Sequence, residues 1–152
     1  MKRLPSYFVL VFFAFLPFLS CIRNDFEIHG GYYTVQADDF DEFGWKEYVS
    51  LYISHGRILS AEYNAINSSG FIKSWDMNYM RIMNAQSGTY PNAYTRIYTG
   101  RLLETQDPEK VDAISGATNS WHTFRQLCAA AIEQSRLGNP GISFFSVSGI
   151  GH

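Results

Sequence analysis

Cysteine is scarce in this chain. Cys21 and Cys128 are the only two among 152 residues, so no disulfide framework stands in for a core, and nothing supports a bridge between them. Basic clusters are missing too. Twelve Lys and Arg stand against fourteen Asp and Glu; with Lys2 and Arg3 of the acid-free N-terminal stretch set aside, ten bases face fourteen acids, a formal charge of −4. A mildly acidic chain without a basic patch is a poor nucleic-acid binder. No apolar run reaches the roughly 20 residues that a membrane-spanning helix requires, and there is no internal repeat. Ser-His-Asp spacing, a nucleophile elbow and a paired-carboxylate motif are all lacking, which gives little support to an enzyme working through its own side chains. His29, His55, His122 and His152 are too scattered for a metal site.

What is present suffices for one domain. An apolar content of 46% in 17.3 kDa supports a real core. The N-terminus reads as an export signal: Lys2 and Arg3 precede an apolar run over 7–18 that only Pro17 interrupts. Its end, Phe18-Leu19-Ser20-Cys21, resembles the lipobox of bacterial lipoproteins, with Phe18 where Leu is usual. The resemblance implies that Cys21 is acylated and becomes the mature N-terminus. Several acyl chains anchor stably where one binds marginally, which places the protein outside the cytoplasm on the cell membrane or the outer membrane. The expected organisation is a signal peptide over 1–20, an anchor cysteine and tether over 21–29, a domain over 30–137 and a loosely held, Gly- and Ser-rich tail over 138–152. Cys128 falls on an apolar helix stripe and reads as a core thiol.

Within the domain, 31–37 is rich in strand formers. The acids of 38–44 suggest a calcium loop, but Phe43 and Gly44 replace the later oxygen ligands, and a solvated acidic turn is the better reading. Val49, Leu51 and Ile53 alternate with Tyr48, Ser50 and Tyr52. A turn over 54–57 and a second alternating run over 58–64 complete an antiparallel hairpin with one packed face. Trp75, Tyr79, Ile82 and Met83 fall at helical spacing, with Trp75 and Met83 expected in the core. Pro91 suits the first turn of a second helix with Tyr94, Ile97, Tyr98 and Leu102 on one face. Trp121, Phe124, Leu127, Cys128, Ala131 and Ile132 stripe a third that Gly138-Asn139-Pro140-Gly141 ends. The fold class is α+β: a small, hairpin-based antiparallel sheet against two to three helices.

One stretch organises the rest: Asp112-Ala113-Ile114-Ser115-Gly116-Ala117-Thr118-Asn119-Ser120, running into the third helix. Ser115, Gly116 and Ala117 are small enough for another molecule to approach the backbone, and Thr118 sits where a helix leaves N–H groups unpaired, an end that attracts phosphate. The same residues also suit ordinary helix capping.

Asp112-x-x-Ser115-Gly116-Ala117-Thr118 resembles the flavinylation motif of the FMN-binding domain family, found in subunits of the sodium-translocating NADH:quinone oxidoreductase and of Rnf-type complexes. The Gly31-x-Tyr33 opening, the hairpin, and Ser74-x-Asp76-x-x-Tyr79-x-x-x-Met83 with Gly88, Pro91 and Tyr94 resemble single-domain lipoproteins of that family. The likeness spans about 30–136. It implies FMN held by a phosphoester on Thr118, installed from FAD by a separate magnesium-dependent flavin transferase. It also implies that Asp112 holds the loop or is read by the transferase, that helix amides near Asn119 and Ser120 steady the phosphate, and that Tyr79 and Tyr94 wall the flavin ring. Trp121, bulky where relatives often have small or polar residues, either crowds the transferase or shields the flavin. The protein so described carries electrons from a membrane oxidoreductase while the cofactor supplies the redox chemistry. The alternative is a lipoprotein of the same fold without covalent flavin, acting in binding or structure at the surface.

Overall fold

The computed structural model describes residues 28–147. The signal peptide, Cys21 and most of the tether lie outside the described residues.

Strand β1 (Gly31–Ala37) pairs antiparallel with β2 (Lys46–Ser54), which pairs antiparallel with β3 (Arg57–Ile66). Alternation in β2 is strict: Glu47, Val49, Leu51 and Ile53 are buried and the residues between them half-buried. The β2–β3 turn is two residues long, His55 and Gly56, with φ of 50° and 71°. Positive φ at both positions matches the right-handed twist of the flanking strands, so the turn sets the expected register. On the outer face the paired Tyr32 and Tyr52 stack with ring centroids 4.6 Å apart.

The C-terminal segment departs from expectation. Residues Gly141–Phe145 form β4, parallel to β1, so the sheet is mixed, with order β3-β2-β1-β4. A long helix returns the chain to the sheet edge, and half-buried Phe145 and Val147 then pack on the core. A five-residue ladder with two apolar contacts leaves too little pattern to stand out in a Gly- and Ser-rich stretch.

Helix α1 (Met77–Ser87) begins later than its spacing suggests. A 3-10 turn, Lys73–Trp75, precedes it, and the Asp76 side chain caps it by accepting from the Tyr79 amide at 2.9 Å. None of its residues is fully buried, because it lies along the edge of a cleft rather than over the sheet. Trp75, in the 3-10 turn and not in α1, is 64% exposed, against the core position expected, while Met83 packs partly on the core. Helix α2 (Pro91–Thr105) buries Tyr94, Tyr98 and Leu102 as expected but leaves Ile97 exposed. Its C-cap, Gln106, locks it to β3: the side-chain amide accepts from the Ile58 N–H at 2.8 Å and donates to the Ile58 carbonyl at 3.0 Å. Helix α3 (Thr118–Arg136) buries Phe124, Leu127, Cys128 and Ala131 against β1 and β2. Tyr63, Tyr98 and Phe124 form the aromatic centre, with both tyrosine rings within 5.5 Å of the phenylalanine ring.

Among the described residues no helix is long and apolar enough to cross a membrane.

Candidate functional site

The loop before α3 is held from the side by α2. The Tyr98 hydroxyl donates to the Ala117 carbonyl at 3.1 Å and accepts from the Ile114 amide at 3.2 Å. Arg101 donates to the Asp112 carbonyl at 2.8 Å. From the other side the loop meets the end of α1. Gly116 has φ of 80°, and a Cβ built there would lie 2.2 Å from the Ser87 carbonyl oxygen. Its small size therefore serves an approach within the chain rather than an incoming molecule; Gly116 itself is exposed, whereas Ala117 is buried. This seam fixes where α3 starts. Thr118 is the exposed first residue of α3, and the N-cap, Ala117, offers no capping side chain. The amides of the first turn thus meet no side-chain cap, an arrangement that favours an anion.

Thr118 opens onto a cleft of about 930 Å³. Helix α1, the 38–45 loop, the start of α3 and the residues just after β4 surround it. Gly116, Ala117, Asn119 and Ser120 line it with Thr118, as do Tyr79 and Tyr94. The two tyrosines differ: Tyr79 is half-buried at the wall, whereas Tyr94 is 1% exposed and belongs mostly to the core. Burial pushes the Tyr94 phenol up to about 12.

Three expected residues stand apart from the cleft. Asp112 is exposed and tied through its backbone carbonyl, and Ser115 is exposed on the loop. Trp121, expected either to crowd the transferase or to shield the flavin, does not line the cleft. Its indole N–H donates to the Val111 carbonyl at 2.5 Å and the Arg125 guanidinium covers its ring at 4.6 Å. These contacts turn it toward the loop behind α3.

The cleft floor contains residues that the motif did not single out. Glu47 is 8% exposed; its carboxylate accepts from the Tyr63 hydroxyl at 2.8 Å and from Ser120 Oγ at 3.1 Å. Burial holds the Glu47 carboxyl above its ordinary value, although Lys73 pulls it down. Lys73 is 5% exposed, with its ammonium 3.9 Å from both Glu47 and Asp41. That ammonium also stands over the Tyr79 and Trp45 rings, at 5.2 and 5.7 Å. A signal for Glu47 was present, since it is in phase with Val49, Leu51 and Ile53 on the packed face of β2. Lys73 follows no periodicity. Asp41 organises the acidic loop, its carboxylate accepting from the Phe43 and Trp45 amides at 2.9 and 2.8 Å.

No protein-family model matches the chain. The chain is 37% identical over 111 residues to the 15 kDa lipoprotein of Treponema pallidum (strain Nichols), an alignment covering 73% of this chain and 79% of that one. Its fold is similar to the crystal structure of a Clostridium perfringens protein, with a TM-score of 0.76 and 29% identity over 80% of this chain and 99% of the other. A solution structure from Clostridium thermocellum, 28% identical over 69% of this chain and 90% of its own, superposes with a TM-score of 0.47.

Proposed function

The chain belongs to the family of the 15 kDa lipoprotein of Treponema pallidum; from that membership we propose a membrane-anchored lipoprotein, and from the motif at Thr118 one that carries FMN covalently there and relays electrons outside the cytoplasm. One observation carries the reading. The flavinylation-like motif places the exposed Thr118 at the uncapped start of a 19-residue helix, on the wall of an approximately 930 Å³ cleft. Clefts of roughly 300–1,000 Å³ are the usual size for small-molecule sites.

The residues present fit the group. Thr118 supplies the attachment oxygen, and the amides of Asn119 and Ser120 would steady the phosphate. Tyr79, with Trp45 edge-on to it at a centroid distance of 5.7 Å, offers a flat aromatic wall for the ring. The charged part of the lining is mostly acidic: Asp38, Asp39, Asp41, Glu42 and Glu47 stand against the single base Lys73. A free dianionic phosphate is repelled by such a lining. A covalent tether overcomes that repulsion.

In the attachment step, Thr118 Oγ bonds to the phosphorus of the FMN half of FAD. The bond from that phosphorus to the bridging oxygen breaks, AMP leaves with that oxygen, and the hydroxyl proton passes to a base on the magnesium-dependent transferase. The bound flavin then supplies one- or two-electron chemistry. This chain's residues fix its position and exclude water from part of its surface. A membrane oxidoreductase acts as donor, and the Cys21 anchor keeps the domain at the membrane.

The test is the intact mass and visible spectrum of the chain co-expressed with a flavin transferase, beside Thr118→Ala. The expected result is a mass gain of FMN less water, with yellow colour that survives denaturation, both lost in the variant. A colourless, unmodified chain, with a transferase active on a known substrate, overturns the reading in favour of a lipoprotein without covalent flavin.

A further inference from the structure

We propose that Lys73 is the residue that offsets the acidic lining of the cleft for the reduced, negatively charged state of its flavin; this rests on the flavin reading above. Three observations converge on it. Its ammonium is buried, yet its two carboxylate contacts, to Asp41 and Glu47, are both 3.9 Å long. A buried cation ordinarily has short, charge-assisted hydrogen bonds of about 2.7–2.9 Å. Lys73 is also the only Lys, Arg or His among the described residues that line the cleft. Finally, the Trp45 and Tyr79 rings flank it, so the same walls that suit a flat ring hold the charge beside it.

The charge persists in place. Burial pulls the Lys73 ammonium down, but the groups around it, the Glu47 and Asp41 carboxylates among them, outweigh it and leave its value raised. The position is fixed as well. Lys73 opens the 3-10 turn that follows the Ile66–Ile72 bridge beside β3, and the next residue, Ser74, accepts from the Asn64 side chain at 2.8 Å.

When two electrons from the donor and one proton from solvent reach the ring, one net negative charge remains on it. A fixed cation in a partly dry cleft stabilises that charge more than it would in water. The oxidised, neutral ring gains much less. Lys73 therefore acts on the difference between the two states, as a tuning residue rather than an attachment residue.

The experiment uses the full chain, flavinylated as above, with the reduction potential measured by equilibration with a redox dye. Lys73→Gln, slightly shorter, polar and uncharged, is compared with wild type and with Lys73→Arg, which keeps the charge. The expected loss in Lys73→Gln is about tenfold in the balance of reduced over oxidised flavin, equivalent to about 30 mV more negative for a two-electron couple. Lys73→Arg restores most of it. A covalent flavin whose potential is the same in wild type and Lys73→Gln overturns the role of Lys73 and leaves the flavin reading standing. Absence of the flavin mass overturns both. Should Lys73→Gln fail to fold, Lys73→Met is measured in its place against Lys73→Arg: a more negative potential in Lys73→Met that Lys73→Arg does not share supports the role, and equal potentials overturn it.

Discussion

Ser120 Oγ lies 3.1 Å from the Glu47 carboxylate, joining the buried face of β2 to the first turn of α3, two residues beyond Thr118. The Tyr63 hydroxyl lies 2.8 Å from both the same carboxylate and the Ser120 carbonyl, so strand, core aromatic and helix start form one network. The start of the helix, where Thr118 is exposed, is thus anchored through the cleft floor.

Glu47 makes this anchor pH-dependent. Its carboxyl is raised from 4.5, first by burial, with Lys73 opposing. Between that value and the raised one, the folded chain keeps a proton that the unfolded chain has released. Stability attributable to Glu47 is therefore complete below the lower value and is lost as pH rises through the raised one. Glu47→Gln has no such proton. Urea unfolding at about pH 4 and pH 7, on either side of the ordinary carboxylate range, should show wild type losing stability relative to Glu47→Gln on going to the higher pH. Parallel pH profiles would contradict the assignment.

Gly116→Ala tests the seam against α1. The added Cβ would stand 2.2 Å from the Ser87 carbonyl oxygen, at a φ of 80°. The left-handed backbone alone costs roughly 1–2 kcal/mol for a non-glycine residue, and the clash adds to it. Chemical denaturation should show a loss of at least about 2 kcal/mol. Flavin attachment should fall with it, because the loop that presents Thr118 is displaced.

Thr118→Ala should behave in the opposite way. The residue is exposed at the helix start, and its change should alter unfolding free energy by no more than about 0.5 kcal/mol. A large destabilisation would mean that Thr118 is a structural cap.

Removing residues 138–152 tests the fourth strand. The deletion takes away the pairing of Gly141–Phe145 with β1 and the packing of Phe145 and Val147. A stability loss of at least about 2 kcal/mol, from lost apolar burial and ladder hydrogen bonds, should accompany faster amide exchange in β1. An unchanged melting temperature would show that the segment is dispensable.

The two cysteines should separate cleanly. Cys21→Ser should move the protein from the membrane to the soluble fraction. In that variant Cys128, fully buried and with its thiol pushed well above its ordinary 9.0 by burial, is the one thiol left. Its reaction with a thiol reagent should be at least ~100-fold slower in the native chain than in denaturant. Comparable rates would place Cys128 at the surface.

Much of this protein was legible in residue order. The period-two pattern of β2 and the two-residue turn at His55-Gly56 prescribe the hairpin, because alternation and positive φ are local properties of the chain. The apolar stripe of α3 places Cys128 in the core, and the α+β class follows from hairpin and helices together. The motif from Asp112 to Ser120 is a contiguous string, so Thr118 could be picked out before any fold was known.

The rest depended on contacts between distant residues. Trp75 reads as core by its spacing, yet it falls in the 3-10 turn ahead of α1 and is exposed, and periodicity does not say where a helix begins or what it faces. Residues 141–145 become a strand because α3 delivers them to the open edge of β1. Trp121 turns away from the cleft because the Val111 carbonyl and the Arg125 guanidinium wait behind α3. Glu47, Lys73 and Ser120 are separated in the chain by tens of residues, and only packing β2, the turn before α1 and α3 around one space sets a carboxylate, an ammonium and the flavinylation-like motif together. Sequence alone determined which hydroxyl was the candidate, because that information is local; tertiary structure decided the charge that faces it, because burial and proximity do not exist until the chain has closed on itself.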